Sequence, residues 1–180
     1  MEFLDVVDEN GELTGEVVEK EVAHEKGVWH REVVVWVVNG RGELLLQKRA
    51  MSKKEHPGKW GLCAGHVDIG EGVKVAAARE LYEEVGVKVG EDELELLAVD
   101  KLRVDFPNGR KNYNFAHMYF LRTELGVGDF VIQEEELSEV KYVSIGVVKE
   151  MVKVGSSELT FSRLEGVIGV LEELERRCGE

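Results

Sequence analysis

Between Gly72 and Gly86 the chain carries a helical repeat that gathers three glutamates on one side, so one flank must rest on a core while another meets solvent or a ligand. A helix turns about 100° per residue, which puts Glu83 about 60° to one side of Glu80 and Glu84 about 40° to the other. Ala78, Leu81 and Val85 fall on a different side and are expected to pack on a sheet, leaving the acidic face outward. Gly86 is placed as a C-terminal stop. Carboxylates spaced i, i+3 and i+4 weaken a bare helix by about a few tenths of a kcal/mol per pair, so something must compensate them. Mg²⁺ does this well, because it takes oxygen from one or two carboxylates and keeps its other positions for water and substrate phosphate. Glu80, Glu83 and Glu84 are the candidate ligands. Glu71, in the turn entering the helix, is expected to add an oxygen or to brace the loop. Arg79 is expected to hold one of the acids in place, with contact to substrate as its alternative role.

The remaining pattern supplies a sheet for this helix. Apolar runs Phe3 to Val7 and Glu16 to Val22 flank Asp8-Glu9-Asn10-Gly11 and read as a hairpin, because Asn-Gly readily adopts positive φ. Val33 to Val38 and Glu43 to Gln47 are nearly continuous apolar runs joined by Asn39-Gly40-Arg41-Gly42, as expected for strands buried on both faces. Leu94 to Leu102, Asn114 to Arg122 and Val140 to Val143 read as further strands, with a turn at Pro107-Asn108-Gly109. A last helix is expected from Ser162, where Ser162 and Glu165 have capping-box spacing and Leu164, Val167, Ile168, Leu171 and Leu174 form a stripe. Strands mixed with two or three helices predict an α/β sandwich around a mixed sheet. A length of 180 residues with 43% hydrophobic content fits one domain over residues 1–180, with 1–30 as an N-terminal hairpin extension.

A formal charge of −13 argues against nucleic-acid polymers and anionic membranes as partners. An acidic chain acting on a polyphosphate must attract it locally, through bound metal and a few placed cations. Cys63 and Cys178 are far apart and suggest neither a disulfide framework nor a zinc knuckle, so a reduced, cytoplasmic setting is expected. The start of the chain lacks a basic region followed by an apolar run, and no stretch approaches the ~18 apolar residues of a membrane span.

Gly65, Glu71, Arg79, Glu80, Leu81, Glu83, Glu84, Gly86 and Val87 together match the Nudix box at every fixed position, and on these residues the chain resembles the Nudix hydrolases. The resemblance implies a Nudix α/β/α sandwich and hydrolysis of a diphosphate linkage in a nucleoside diphosphate-X type substrate, by water attack on phosphorus with divalent ions. Mg²⁺ is the ion expected, with Mn²⁺ as the alternative. By position, Glu80, Glu83 and Glu84 would be metal ligands joined by a backbone carbonyl near Ala64-Gly65. One of the glutamates, or Glu136 in the loop from Gln133 to Glu139, would act as general base.

Outside the box the chain resembles the branch that includes isopentenyl diphosphate isomerases and their hydrolase-like relatives. That likeness runs through His24, His30-Arg31, Leu44 to Ala50, Ser52-Lys53-Lys54, Pro57 to Trp60 and Gly65-His66. It implies that Arg49 and Lys53 hold phosphate, and Trp60 is a candidate for stacking on a base. Two departures favour hydrolysis over isomerisation. Ala64 stands where the isomerases have a nucleophilic Cys, and Asn112-Tyr113-Asn114 stands where they have Glu-x-Glu. Amides cannot replace the acid and base that moving a proton on an alkene carbon requires. In those isomerases, histidines at positions like His24, His30 and His66 help bind a metal. Without the two carboxylates such a site would keep three protein ligands, and ordinary hydrogen-bonded histidines are the preferred reading. A non-catalytic ligand-sensing module is the third reading, although such proteins tend to lose box carboxylates and all are retained here. A homodimer is allowed by the sequence and not required by it.

Overall fold

The computed structural model of the chain describes residues 2–161 and 166–179. Strands β1 (Phe3–Val7) and β2 (Leu13–Glu19) form the expected antiparallel hairpin. Its turn is held by Asp8, whose Oδ1 accepts the N–H groups of Asn10 and Glu12 at 2.8 and 3.0 Å. The second strand stops earlier than the expected Val22. Glu19 pairs with Phe3, where the partner strand begins, and once the Lys20 N–H has donated to the Glu2 carbonyl at 2.9 Å the partner offers no further acceptor and the chain coils. It does so in helix α1 (Lys20–Lys26), which buries Ala23 and His24 and ends at Gly27 with φ of 74°.

Strands β3 (His30–Asn39), β4 (Glu43–Arg49), β5 (Trp60–Gly61), β6 (Cys63–His66), β7 (Glu95–Asp105), β8 (Lys111–Thr123) and β9 (Leu137–Ser144) form one mixed sheet. Its main path runs β5-β4-β3-β8-β7, with β6 also paired to β3 and β9 to β4. β3 and β8 run parallel, from His30 opposite Asn114 to Asn39 opposite Thr123, and the other pairs are antiparallel. β3 meets β4 at Val38 and Leu44, then pairs with β6 along Glu32 to Val35. The sheet therefore splits between β4 and β6, and the site lies at that split.

Alternation along β3 explains the layers. Val33, Val35 and Val37 enter a core under helix α2 (Val73–Val85), with Ala76, Ala77, Leu81 and Val85. Trp36 and Val38 enter an opposite core with α3 (Ile145–Lys153) and α4 (Val167–Gly179), through Ile145, Val148, Leu171 and Leu174. The result is the expected α/β/α sandwich with a central mixed sheet and an N-terminal hairpin. α3 was not anticipated, although Ser144 caps it by accepting the Val147 N–H at 3.4 Å. The expected capping box of Ser162 and Glu165, and Leu164, lie outside the described residues, while Val167, Leu171 and Leu174 are buried as expected. Among the described residues no helix is long and apolar enough to cross a membrane.

Candidate active site

α2 presents its glutamates along a gradient of burial. The Glu83 side chain is half exposed and that of Glu80 retains 14%, whereas Glu84 is buried with 7% of its surface accessible. The expectation of a wholly outward acidic face is corrected here. On the helical wheel Glu84 stands about 20° from buried Ala77, so it shares the arc that rests on the sheet. Burial pushes its carboxyl up to about 8, against the pull of the Cys63 thiol, the Gln47 side chain and the Ala64 backbone. Glu84 Oε2 is buried without a hydrogen-bond partner. Burial also pushes Glu80 up, opposed by Arg79. Two carboxylates thus stand in a setting that disfavours their charge unless a cation joins them.

Gly65 on β6 lets Glu80 in. A Cβ at position 65 would stand 2.0 Å from the Glu80 carboxyl carbon and 2.1 Å from Oε1. The side chain of Glu80 is thereby laid against β6 at Gly65.

Arg79 organises the acids. Its Nε donates to Glu71 Oε1 at 3.0 Å and its Nη1 to Glu80 Oε1 at 2.7 Å and Glu83 Oε2 at 3.2 Å. Nη2 donates to Glu71 Oε2 and to the His66 carbonyl, both at 2.9 Å. All five guanidinium donors are spent on the protein. This arrangement fits the holding role and leaves no donor for substrate. Glu71 is likewise engaged, accepting from Arg79 and from the Asp68 N–H at 3.1 Å, so it braces the loop instead of facing the cavity. Lysine has no fork to span three carboxylates. Arg79→Lys is therefore expected to cut turnover by about tenfold or more while the circular dichroism spectrum stays unchanged, and unchanged kinetics would show that the fork is dispensable.

A cavity of about 880 Å³ opens at the sheet split and brings together Arg49, Lys53, Gly65, Arg79, Glu80, Glu83, Glu84 and Glu136. Glu136 arrives there because the Glu84 carbonyl accepts the Gln133 N–H at 3.0 Å and the Glu136 carbonyl accepts the Ala50 N–H at 2.8 Å. Its carboxylate pairs with Lys53 Nζ at 2.5 Å. Arg49 Nε donates to the Glu55 carbonyl at 3.0 Å. Trp60 does not join them. It is buried in the second core with Lys141 Nζ 3.8 Å from its ring centre, and the stacking expectation for it is corrected.

The three histidines do converge. His24, on α1, places Nε2 3.0 Å from His66 Nε2, and the ring centres of His24, His30 and His66 are 5.2 Å apart in each pair. Beside them stands Glu32, which sequence reasoning missed. Its Oε1 is 3.3 Å from His66 Nε2 and 3.8 Å from His30 Nε2, while Asn112 and Asn114 donate to its two oxygens at 2.9 and 2.8 Å. The signal was present as the period-two pair His30-x-Glu32, which a strand puts on one face.

A NUDIX domain family profile matches residues 28–160, and the chain belongs to the Nudix family. Among curated relatives it is 36% identical over 168 residues to an isopentenyl-diphosphate Delta-isomerase of Pectobacterium atrosepticum, covering 88% of this chain and 89% of that one. It is 33% identical over 153 residues to an uncharacterized Nudix hydrolase of Clostridium acetobutylicum, covering 82% of this chain and 69% of that one. A crystal structure from Deinococcus radiodurans superposes with a TM-score of 0.70 at 22% identity, covering 99% of this chain and 100% of the other. The NUDIX domain of Shewanella oneidensis NrtR, solved with ADP ribose, gives 0.59 at 20% identity over 81% of this chain and 86% of that one. These two likenesses concern the fold.

Proposed function

We propose that the chain is a Mg²⁺-dependent pyrophosphohydrolase that cleaves the diphosphate linkage of a nucleoside diphosphate-X type substrate by water attack on phosphorus. One observation carries this reading: Glu84 is buried with an unpartnered oxygen, on the same helix as Glu80 and Glu83 and at the wall of a cavity. An all-oxygen, carboxylate-rich set of this kind fits a hard divalent cation. Glu80, Glu83 and Glu84 would hold it, with a carbonyl of Ala64-Gly65. Bound there, the ion would supply Lewis acidity toward a phosphoryl oxygen and toward water.

The chain's own residues do the rest. Arg79 fixes Glu80 and Glu83. Arg49 and Lys53 neutralise phosphate in a cavity otherwise dominated by acids. Drawing Lys53 toward phosphate frees the Glu136 carboxylate to take a proton from the attacking water. The isomerase named among the relatives is the competing reading. Against it stand Ala64 and the two amides, and Cys63 does not substitute for the missing nucleophile. It is buried in the first core, and burial with Glu84 alongside pushes its thiol up.

The test is a panel of nucleotide sugars, dinucleoside polyphosphates, nucleoside triphosphates, coenzyme A and isopentenyl diphosphate, incubated in ¹⁸O-labelled water with Mg²⁺ or with chelator. Expected is hydrolysis only with Mg²⁺, with label in one phosphate product. Isomerisation of isopentenyl diphosphate without hydrolysis, or nucleotide binding without turnover of any compound, would overturn the proposal.

A further inference from the structure

Residues 50–59, which join β4 to β5, close back on Arg49. The Arg49 N–H donates to the Lys59 carbonyl at 2.9 Å, and the Arg49 carbonyl accepts the Gly58 N–H at 3.1 Å. The reversal passes through His56 at φ of 54°, and among the described residues no other non-glycine has positive φ. A residue ahead of proline is driven toward extended backbone, so His56 before Pro57 holds this conformation only because its surroundings impose it. One product of the reversal is a carbonyl placed beside the cavity. The Glu55 carbonyl accepts Arg49 Nε at 3.0 Å, and among the described residues this is the one bond the Arg49 guanidinium makes. Arg79 has no donor to spare, whereas Arg49 lines the cavity with both Nη groups left for a ligand.

The surroundings that hold this backbone come from residues 106–110, which connect β7 to β8. Phe106 sets its ring edge to face with that of His56, centres 5.6 Å apart. Arg110 Nε lies 2.7 Å from Glu55 Oε1, and Arg110 Nη1 donates to Glu21 Oε2 on α1 at 2.5 Å. Lys54 Nζ stands 3.5 Å from the other Glu21 oxygen. Exposed ion pairs contribute little, but the Arg110 and Glu55 side chains keep only 19% and 23% of their surface in solvent, and one guanidinium spans two carboxylates. Glu21, Glu55 and Arg110 all line the cavity. The charge of Arg110 is already compensated there, so its service to an anionic substrate is indirect.

We infer that Arg110 is a positioning residue for phosphate recognition: clasped between Glu21 and Glu55, it fixes the Glu55 carbonyl that aims Arg49 into the cavity. The inference rests on the reading of Arg49 as a phosphate ligand. Without the clasp, residues 54–56 relax toward ordinary backbone, the Glu55 carbonyl turns away and Arg49 loses the bond that orders its long side chain. Ordering such a side chain before the ligand arrives lowers the cost of binding.

Titration calorimetry of the full chain with Mg²⁺ and methylenediphosphonate, a diphosphate mimic that water does not cleave, tests this without turnover. Arg49→Met is expected to weaken binding by about tenfold or more, as for the loss of a charge-assisted contact, and Arg110→Met by about fivefold. Combining the two is expected to add less than about twofold to the loss from Arg49→Met, because Arg110 acts through Arg49. The same cycle run with Glu55→Gln, which keeps the size of the side chain, is expected to show the same lack of additivity. A merely structural clasp would cost as much with Arg49 absent as with it present. Losses that multiply in the double variants, or an Arg110→Met chain that binds as the wild type does, would overturn the inference. Diphosphonate bound with the expected pattern by a chain that hydrolyses nothing would uphold it and remove the hydrolase reading, and a wild type that does not bind diphosphonate would overturn both.

Discussion

Glu84→Gln is expected to lower Mg²⁺-dependent hydrolysis by at least about a hundredfold, an order typical of losing a catalytic electrostatic group. The substitution keeps the side chain's shape, so packing against Ala77 and Gln47 should survive it. In chelator the variant is expected to melt no lower than the wild type, because it removes a buried carboxylate whose Oε2 has no partner. Added Mg²⁺ should then raise the melting temperature of the wild type by mass action and do little for the variant. Rates and melts with and without Mg²⁺ decide the matter together. Equal turnover would remove Glu84 from the site, and a variant that melts far lower in chelator would make Glu84 a structural residue.

How much of this could be read beforehand depends on which residues carry local information. The helix from Val73 to Val85 and its stop at Gly86 were legible because periodicity and a left-handed glycine are local properties, and Gly86 indeed has φ of 74°. Strands β3 and β4 were legible because Val33 to Val38 and Leu44 to Leu46 are apolar on both faces, and both faces are covered. The unequal burial of the three glutamates was less legible. It depends on how far the sheet extends beneath α2, which the wheel alone does not say. The arc shared by Glu84, Ala77 and Leu81 was nevertheless a usable sign.

Long-range partners were the least accessible. Glu32 acquires its place by meeting His66 across an antiparallel pair and the amides of β8 across a parallel one. No spacing within a single segment encodes either meeting. Trp60 failed for a related reason, since a tryptophan next to the box can turn into the cavity or under Lys141, and tertiary packing decides. Arg49, Lys53 and Glu136 came together because three backbone hydrogen bonds, from Val131, Gln133 and Ala50, tie the late loop to the end of α2 and to the turn after β4.

Gly65→Ala should cost nearly as much activity as losing Glu80 itself, about a hundredfold by the same reckoning, even though alanine is at ease in a strand. The reason is contact distance. A Cβ there would lie 2.0 Å from the Glu80 carboxyl carbon and 2.5 Å from its second oxygen, and the backbone of β6 is held by its pairing with β3 from Cys63 to His66. The flexible partner is the one that yields, so Glu80 swings away and Arg79 loses its 2.7 Å bond. Two substitutions that remove one carboxylate from one place cannot each take their full toll. In a cycle of Gly65→Ala, Glu80→Ala and the double variant, the double variant is expected to retain about the activity of Glu80→Ala alone. Losses that multiply, with the double variant another hundredfold down, would mean that Gly65 serves the site by some route other than making room for Glu80.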